Sequence, residues 1–207
     1  ETKKPWKAAS LDGTTGLFKV WDAETLRQGE TNWTVGYDQI SRDPGKLTIG
    51  RLPVGVGIGI FDRFEVFTSM DIQRHITADK IQMKRLWPGM LPRPATTVNG
   101  VQSFSQAAPF MDVPEATGRS DVHLGIKFNL LSERRGDALS MAIAGFGTLP
   151  GQRTATGLNR GLSSGAFAGG FALLFSKTAA DMFRLHFNIG SNYVTNPEIQ
   201  GIELADL

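Results

Sequence analysis

The feature that most constrains this chain is a strict two-residue alternation between apolar side chains and small or polar ones. From Asp181 to Val194, Phe183, Leu185, Phe187, Ile189 and Tyr193 share one face, while Arg184, His186, Asn188, Gly190 and Asn192 occupy the other. From Val122 to Leu130, Val122, Leu124, Ile126, Phe128 and Leu130 oppose His123, Gly125, Lys127 and Asn129. Successive side chains of a strand point to opposite sides, so this pattern predicts strands with one face against something apolar.

The same alternation recurs along the chain. Val54, Val56, Ile58 and Ile60 alternate with Gly55, Gly57 and Gly59, and Phe64, Val66, Thr68, Met70 and Ile72 with Glu65, Phe67, Ser69, Asp71 and Gln73. Trp33, Val35 and Tyr37 oppose Thr34, Gly36 and Asp38; Leu139, Met141 and Ile143 oppose Ser140, Ala142 and Ala144. Phe167, Phe171, Leu173 and Phe175 oppose Ala166, Ala168, Gly170 and Ala172. Twenty-four glycines, many inside these periodic runs, disfavour helix and suit closely packed or curving strands.

Facing residues of a hairpin share a side, which tests the pattern at its turns. Opposing Ile60 to Phe64, Leu130 to Leu139 and Phe175 to Phe183 gives three short links with matching faces. The other connections are longer: 42–46, 149–164 and a long loop, 74–120, broken by Pro88, Pro92, Pro94, Pro109 and Pro114 and expected to be irregular with room for one short helix. Short turns at one end and long loops at the other is the arrangement of outer-membrane barrels. The runs approach the roughly 9–11 residues that a tilted strand needs to cross a bilayer.

The face opposite the apolar one separates a membrane barrel from a soluble one. A soluble strand shows water Thr, Lys, Glu and Arg; here that face is largely Gly, Ala and Ser with occasional charges, which suits a confined lumen. The expected lipid-facing residues are Trp33, Val35, Tyr37, Val56, Ile58, Phe64, Val66, Leu124, Ile126, Phe128, Phe171, Phe175, Phe183, Leu185 and Phe187. Asp38, Glu65, Asp71, His123, Lys127, Arg184 and His186 are the expected lumen-facing polar residues. Phe64, Phe175, Phe183 and Trp33 fall where an interfacial aromatic girdle is expected.

The stretch Gly16-Leu17-Phe18-Lys19-Val20-Trp21-Asp22-Ala23-Glu24-Thr25-Leu26-Arg27-Gln28-Gly29-Glu30 resembles the opening of Gram-negative outer-membrane barrel proteins of the OmpA-like and porin-like kind. The run from Gly118 to Asp137 is similar to a strand-and-turn segment of the same families. The resemblance implies an all-β, antiparallel up-and-down transmembrane barrel in the bacterial outer membrane. Its partners are then lipid, with other envelope proteins or peptidoglycan through a further C-terminal domain as additional contacts. It implies no catalytic residue. The expected organisation is an N-terminal extension, 1–15, followed by the barrel, 16–207. Seven segments read as spanning strands, or eight if Gly16 to Val20 pairs, whereas bacterial barrels have an even number. With the chain ending Glu203-Leu204-Ala205-Asp206-Leu207, further strands or another element are expected to complete the wall.

Other chemistry finds little support in the sequence. A formal charge of +2 with no long basic cluster carries no nucleic-acid signature, and Lys80 to Arg93, interrupted by Trp87, Pro88 and Pro92, reads as a solvated loop. The absence of cysteine removes disulfides and thiolate chemistry. Gly161-Leu162-Ser163-Ser164-Gly165 matches a nucleophile-elbow pattern but leads into a strand rather than a helix. No serine is assigned beside His123 or His186, and His75, His123 and His186 lack metal-ligand spacing. Neither enzyme activity nor a cofactor is expected. Three roles remain: a structural envelope barrel, a porin-like channel for small solutes, and a soluble lipocalin-like binder with its apolar faces inward.

Overall fold

The computed structural model describes residues 8–17, 19–42, 47–77, 97–98, 101–102, 115–151, 157, 160–179, 183–195, 198–199 and 202–203. Strands in chain order are β1 (Gly16–Leu17), β2 (Val20–Trp21), β3 (Thr31–Val35), β4 (Asp38–Arg42), β5 (Leu47–Phe61), β6 (Phe64–Thr77), β7 (Thr97–Val98) and β8 (Val101–Gln102). They continue as β9 (Glu115–Gly118), β10 (Val122–Leu131), β11 (Ser140–Leu149), β12 (Ala168–Ala179), β13 (Phe183–Val194), β14 (Glu198–Ile199) and β15 (Ile202–Glu203). The main sheet has the order β13-β12-β11-β10-β6-β5-β3, with β4 on β5 and β9 on β6. It is antiparallel throughout and curls into a half-barrel.

Two of the breaks are interruptions within single strands. Val35 pairs with Val54 and Asp38 with Arg51, so β3 and β4 keep one register along β5. The break falls opposite Pro53, which has no N–H to give the ladder, although Gly36 N–H still donates to Pro53 O at 3.1 Å. Likewise Gly118 pairs with Arg74 and Val122 with Met70, so β9 and β10 keep one register along β6. Here the Ser120 hydroxyl accepts from Asp71 N–H at 3.0 Å in place of a ladder partner.

Among the described residues the wall therefore consists of the seven long strands expected. Gly16 to Val20 does not add an eighth: β1 and β2 pair only with each other. In a wall of alternating direction the first and seventh strands run the same way, so its two edges, β3–β4 and β13, could meet only in parallel.

The turns differ from expectation in register while keeping their faces. Phe61, rather than Ile60, faces Phe64, and the extra residue is taken up by an irregularity between Gly59 and Phe61. Leu131 pairs with Met141 across a bulge at Leu130, followed by a 3-10 turn, Glu133–Arg135, closed by Gly136 at φ 93°. Phe175 pairs with Phe187, not Phe183, because the polar residues Ser176, Lys177 and Thr178 continue the strand. Lys177 ion-pairs with Glu133 at 3.1 Å, and Thr178 N–H donates to the same carboxylate at 3.0 Å. That carboxyl would rise with burial, but Lys177 and Thr178 hold it below its ordinary value.

The long loop expected at 74–120 begins and ends in strand, since β6 continues to Thr77 and β9 starts at Glu115. The short helix expected within it, and the stretch Lys80 to Arg93, lie outside the described residues.

Candidate functional site: the two faces of the sheet and an inner strap

Large apolar side chains cover the convex face. Trp33, Val35, Tyr37, Ile58, Leu124, Ile126, Phe128, Phe171, Phe183, Leu185 and Phe187 are exposed, with Trp33 at 73% and Phe187 at 61%. Val56, Phe64, Val66 and Phe175 stand on the same side, partly covered by their neighbours. Soluble monomers rarely expose apolar patches beyond a few hundred Å². This surface runs across β3, β5, β6, β10, β11, β12 and β13.

The concave face is built the other way round. Among the described residues, the bulkiest side chains with no exposure are Lys127, Leu174 and Glu65. Lys127 Nζ lies 3.2 Å from Glu65 Oε2, both side chains being fully buried. An isolated buried charge costs several kcal/mol, so a pair this deep must be bonded on every side. The bonds come from residues 8–30, the segment ahead of the wall.

This segment crosses the concave face as a strap. Glu65 accepts from the Thr14 hydroxyl at 2.5 Å, the Thr15 N–H at 2.9 Å, the Thr15 hydroxyl at 3.1 Å and the Leu26 N–H at 2.9 Å. Lys127 donates to the Thr14 hydroxyl at 2.9 Å, to the Thr15 hydroxyl and to Asp22 O at 3.2 Å. Further along, Asp22 ion-pairs with Arg184 at 2.9 Å, and Asn129 donates to Ala23 O at 2.8 Å. Glu24 receives the hydroxyls of Ser132 and Ser140 at 2.7 Å each and pairs with Arg134 at 2.6 Å. Trp21 stands edge-on to Phe67 and Phe146, donates to Asp12 at 2.9 Å, and meets the Asn188 amide with its backbone. Ala23 packs among Ala142, Ala144, Ala172 and Leu174. The strap thus reaches strands on both sides of β10.

Glycines make room for it. A Cβ on Gly55 would lie 2.6 Å from Gly13 N, one on Gly57 would meet Gly13 O, and one on Gly59 would meet Arg27 O. The row on β5 is therefore a seat for backbone. Gly13 itself has φ 84°, a left-handed conformation that costs glycine little.

The other expected inner-face residues have separate partners. Asp38 pairs with Arg51 and with Lys19 at 3.1 Å, and Asp71 lies 3.4 Å from Arg74. His123 is exposed and meets the Thr148 hydroxyl through Nδ1 at 2.9 Å. His75 Nδ1 meets Thr117 at 2.9 Å and His186 Nδ1 meets Ser176 at 3.0 Å. All three contacts join directly opposed residues of neighbouring strands.

Ser176 beside His186 corrects the expectation that no serine adjoins these histidines. It came from the hairpin register, which had placed Ser176 near a turn. The Ser176 hydroxyl is 2% exposed and accepts from Ala23 N–H at 3.0 Å, so it serves to hold the strap.

Residues Gly161 to Gly165 form a loop running into β12. Ser163 and Ser164 donate to Asp121, Ser164 through its hydroxyl at 2.6 Å and its N–H at 2.8 Å, and Gly151 N–H adds a bond of 2.8 Å. Burial would raise the Asp121 carboxyl, but these donors outweigh it and hold it below its ordinary value. Leu162 packs on Ile76 and Ala116, closing the long-loop end of β6 and β9.

Sequence reading missed the strap, having treated 1–15 as an extension outside the barrel. The signal was present: a row of glycines beside buried Glu65 and Lys127 leaves space and charge that only another segment can fill. No protein-family model matches the chain, and neither a curated protein nor a solved structure matches it.

Proposed function

We propose that this chain forms wall and filling of an outer-membrane β-barrel with a structural role in a bacterial envelope. The observation that carries this reading is the distribution of polarity. Fully buried Lys127 and Glu65 lie on the concave side, while Ile126 and Phe128, beside Lys127 in sequence, are 50% and 43% exposed. Lipid is the solvent that accepts such a surface, and strands with internally paired backbone are one of two ways to cross it. A soluble binder with an apolar interior would need the opposite arrangement.

A porin-like channel is the weaker alternative, because the concave side carries the strap, its ion pair and Trp21 rather than open space. The edges at β3–β4 and β13 require further pairing in a membrane, and an antiparallel closure takes an odd number of additional strands.

Cell fractionation tests the reading. The native protein should stay with the outer membrane through carbonate washing and leave it only in detergent. Recovery in the soluble fraction would mean that the convex face is covered by something other than lipid.

A further inference from the structure

The concave face without residues 8–30 would be a trough lined along β5 and β11 by small side chains, with the Glu65–Lys127 pair bare at its floor. Gly55, Gly57 and Gly59 on β5 and Ala142 and Ala144 on β11 leave little bulk there, between the larger Phe67, Phe146 and Leu174. Trp21 and Ala23 supply the bulk that the wall lacks, and Thr14 and Thr15 supply the bonds that Glu65 and Lys127 lack.

The attachment is mostly polar. Apart from the Ala23 cluster, the Trp21 rings and the buried side chains of Leu11 and Leu26, hydrogen bonds and ion pairs hold the strap. A segment held by bonds that water can replace is released more readily than a wall strand with a full ladder.

We propose that residues 8–30 are a built-in stopper, seated on the Gly55-Gly57-Gly59 track and latched by the Glu65–Lys127 pair, whose release opens the concave side to water and ions. This rests on the barrel reading for the passage of ions, but not for the seating of the strap. Lys127 is the latch because it bonds Thr14, Thr15 and Asp22 together with Glu65.

The chain has no cysteine, so one introduced thiol reports on the strap without background. Ala23→Cys is placed at a fully buried position and Arg27→Cys at an exposed one. In detergent-solubilised full-length protein, a charged maleimide should label Cys at 23 at least tenfold more slowly than Cys at 27. Adding Lys127→Met should bring the two rates together, and the same variant in a planar bilayer should conduct ions where the parent does not.

Gly57→Ala, which leaves the latch intact but obstructs the seat, is the second variant if Lys127→Met fails to fold, and should act in the same direction. Equal labelling at 23 and 27 in the parent would overturn the seating of the strap. Protection that persists in both variants would overturn the latch and seat. Release without conductance would overturn the stopper. A soluble protein with slow labelling at 23 would instead sink the membrane reading and leave the strap in place.

Discussion

Ile126 and Lys127 are neighbours on β10, half-exposed and fully buried respectively, and the contrast between them extends over the whole sheet. On the convex side the strands present Phe, Leu, Ile and Trp with little of the protein to cover them. On the concave side they present mostly Gly, Ala, Ser and charged groups, with Phe67, Phe146 and Leu174 among them, covered by a strap rich in hydrogen bonds. In water this arrangement would be costly, since each large apolar side chain gains about 1.5–3 kcal/mol by leaving water. Among the described residues the buried apolar clusters are small, Ala23 with Ala142, Ala144, Ala172 and Leu174, and Ile76 with Ala116 and Leu162. One face is thus specified by bonds within the chain, the other by its solvent.

The largest expected effect lies on the concave side. Lys127→Met leaves Glu65 buried without its counter-charge, and should lower stability by about 3–5 kcal/mol in urea titration of the detergent-folded protein. A change under about 1 kcal/mol would mean that water reaches the pair and that the concave side is not packed. On the convex side, Ile126→Arg should cost about 2–4 kcal/mol in lipid vesicles, the range for a charge on the lipid face near mid-membrane. A neutral result would place that face in water.

Smaller effects compare a glycine on each face, Gly57 on the concave one and Gly147, paired with Leu124, on the convex one. Gly57→Ala should destabilise by about 1–3 kcal/mol, as overpacking does, because its Cβ meets strap backbone. Gly147→Ala, whose Cβ would approach nothing closer than Ala168 O at 3.4 Å, should be neutral by the same titration. Equal effects would show that strand conformation, and not the strap, sets the need for glycine.

The smallest effect concerns the loop from Gly161 to Gly165. The Asp121 carboxyl is held below its ordinary value of 3.8, so its contribution is complete above that value and fades as pH falls through the depressed one. Hydrogen exchange at the Ser164 amide should therefore accelerate below about pH 3.8 beyond the chemical trend, and Asp121→Asn should abolish that step.

The period-two pattern made the wall legible because each strand has one apolar side. Seven strands and the sharing of faces by Phe183, Leu185 and Phe187 follow from alternation alone. Turn registers were less legible: the bulges at Ile60 and Leu130 shift pairing by one residue without altering composition. The polar end of β12 was missed because Ser176, Lys177 and Thr178 look like a loop until Glu133 is seen to receive Lys177 and Thr178 and Ser176 to meet His186. The strap escaped because residues 8–30 carry no periodicity. Its bonds to Glu65 and Lys127 span some fifty and one hundred residues of chain, a separation that no local pattern encodes.

Two native tryptophans stand on the two faces, Trp33 convex and 73% exposed, Trp21 concave between Phe67 and Phe146. Quenching by lipids brominated along their acyl chains tests the central claim directly, in variants that keep one of these two and carry Phe at the other three tryptophan positions, which include Trp6 and Trp87. The account predicts strong quenching of Trp33 and little or none of Trp21 in the same vesicles. Trp33 left unquenched while the protein stays folded would contradict it, because the apolar convex face would then not be meeting lipid.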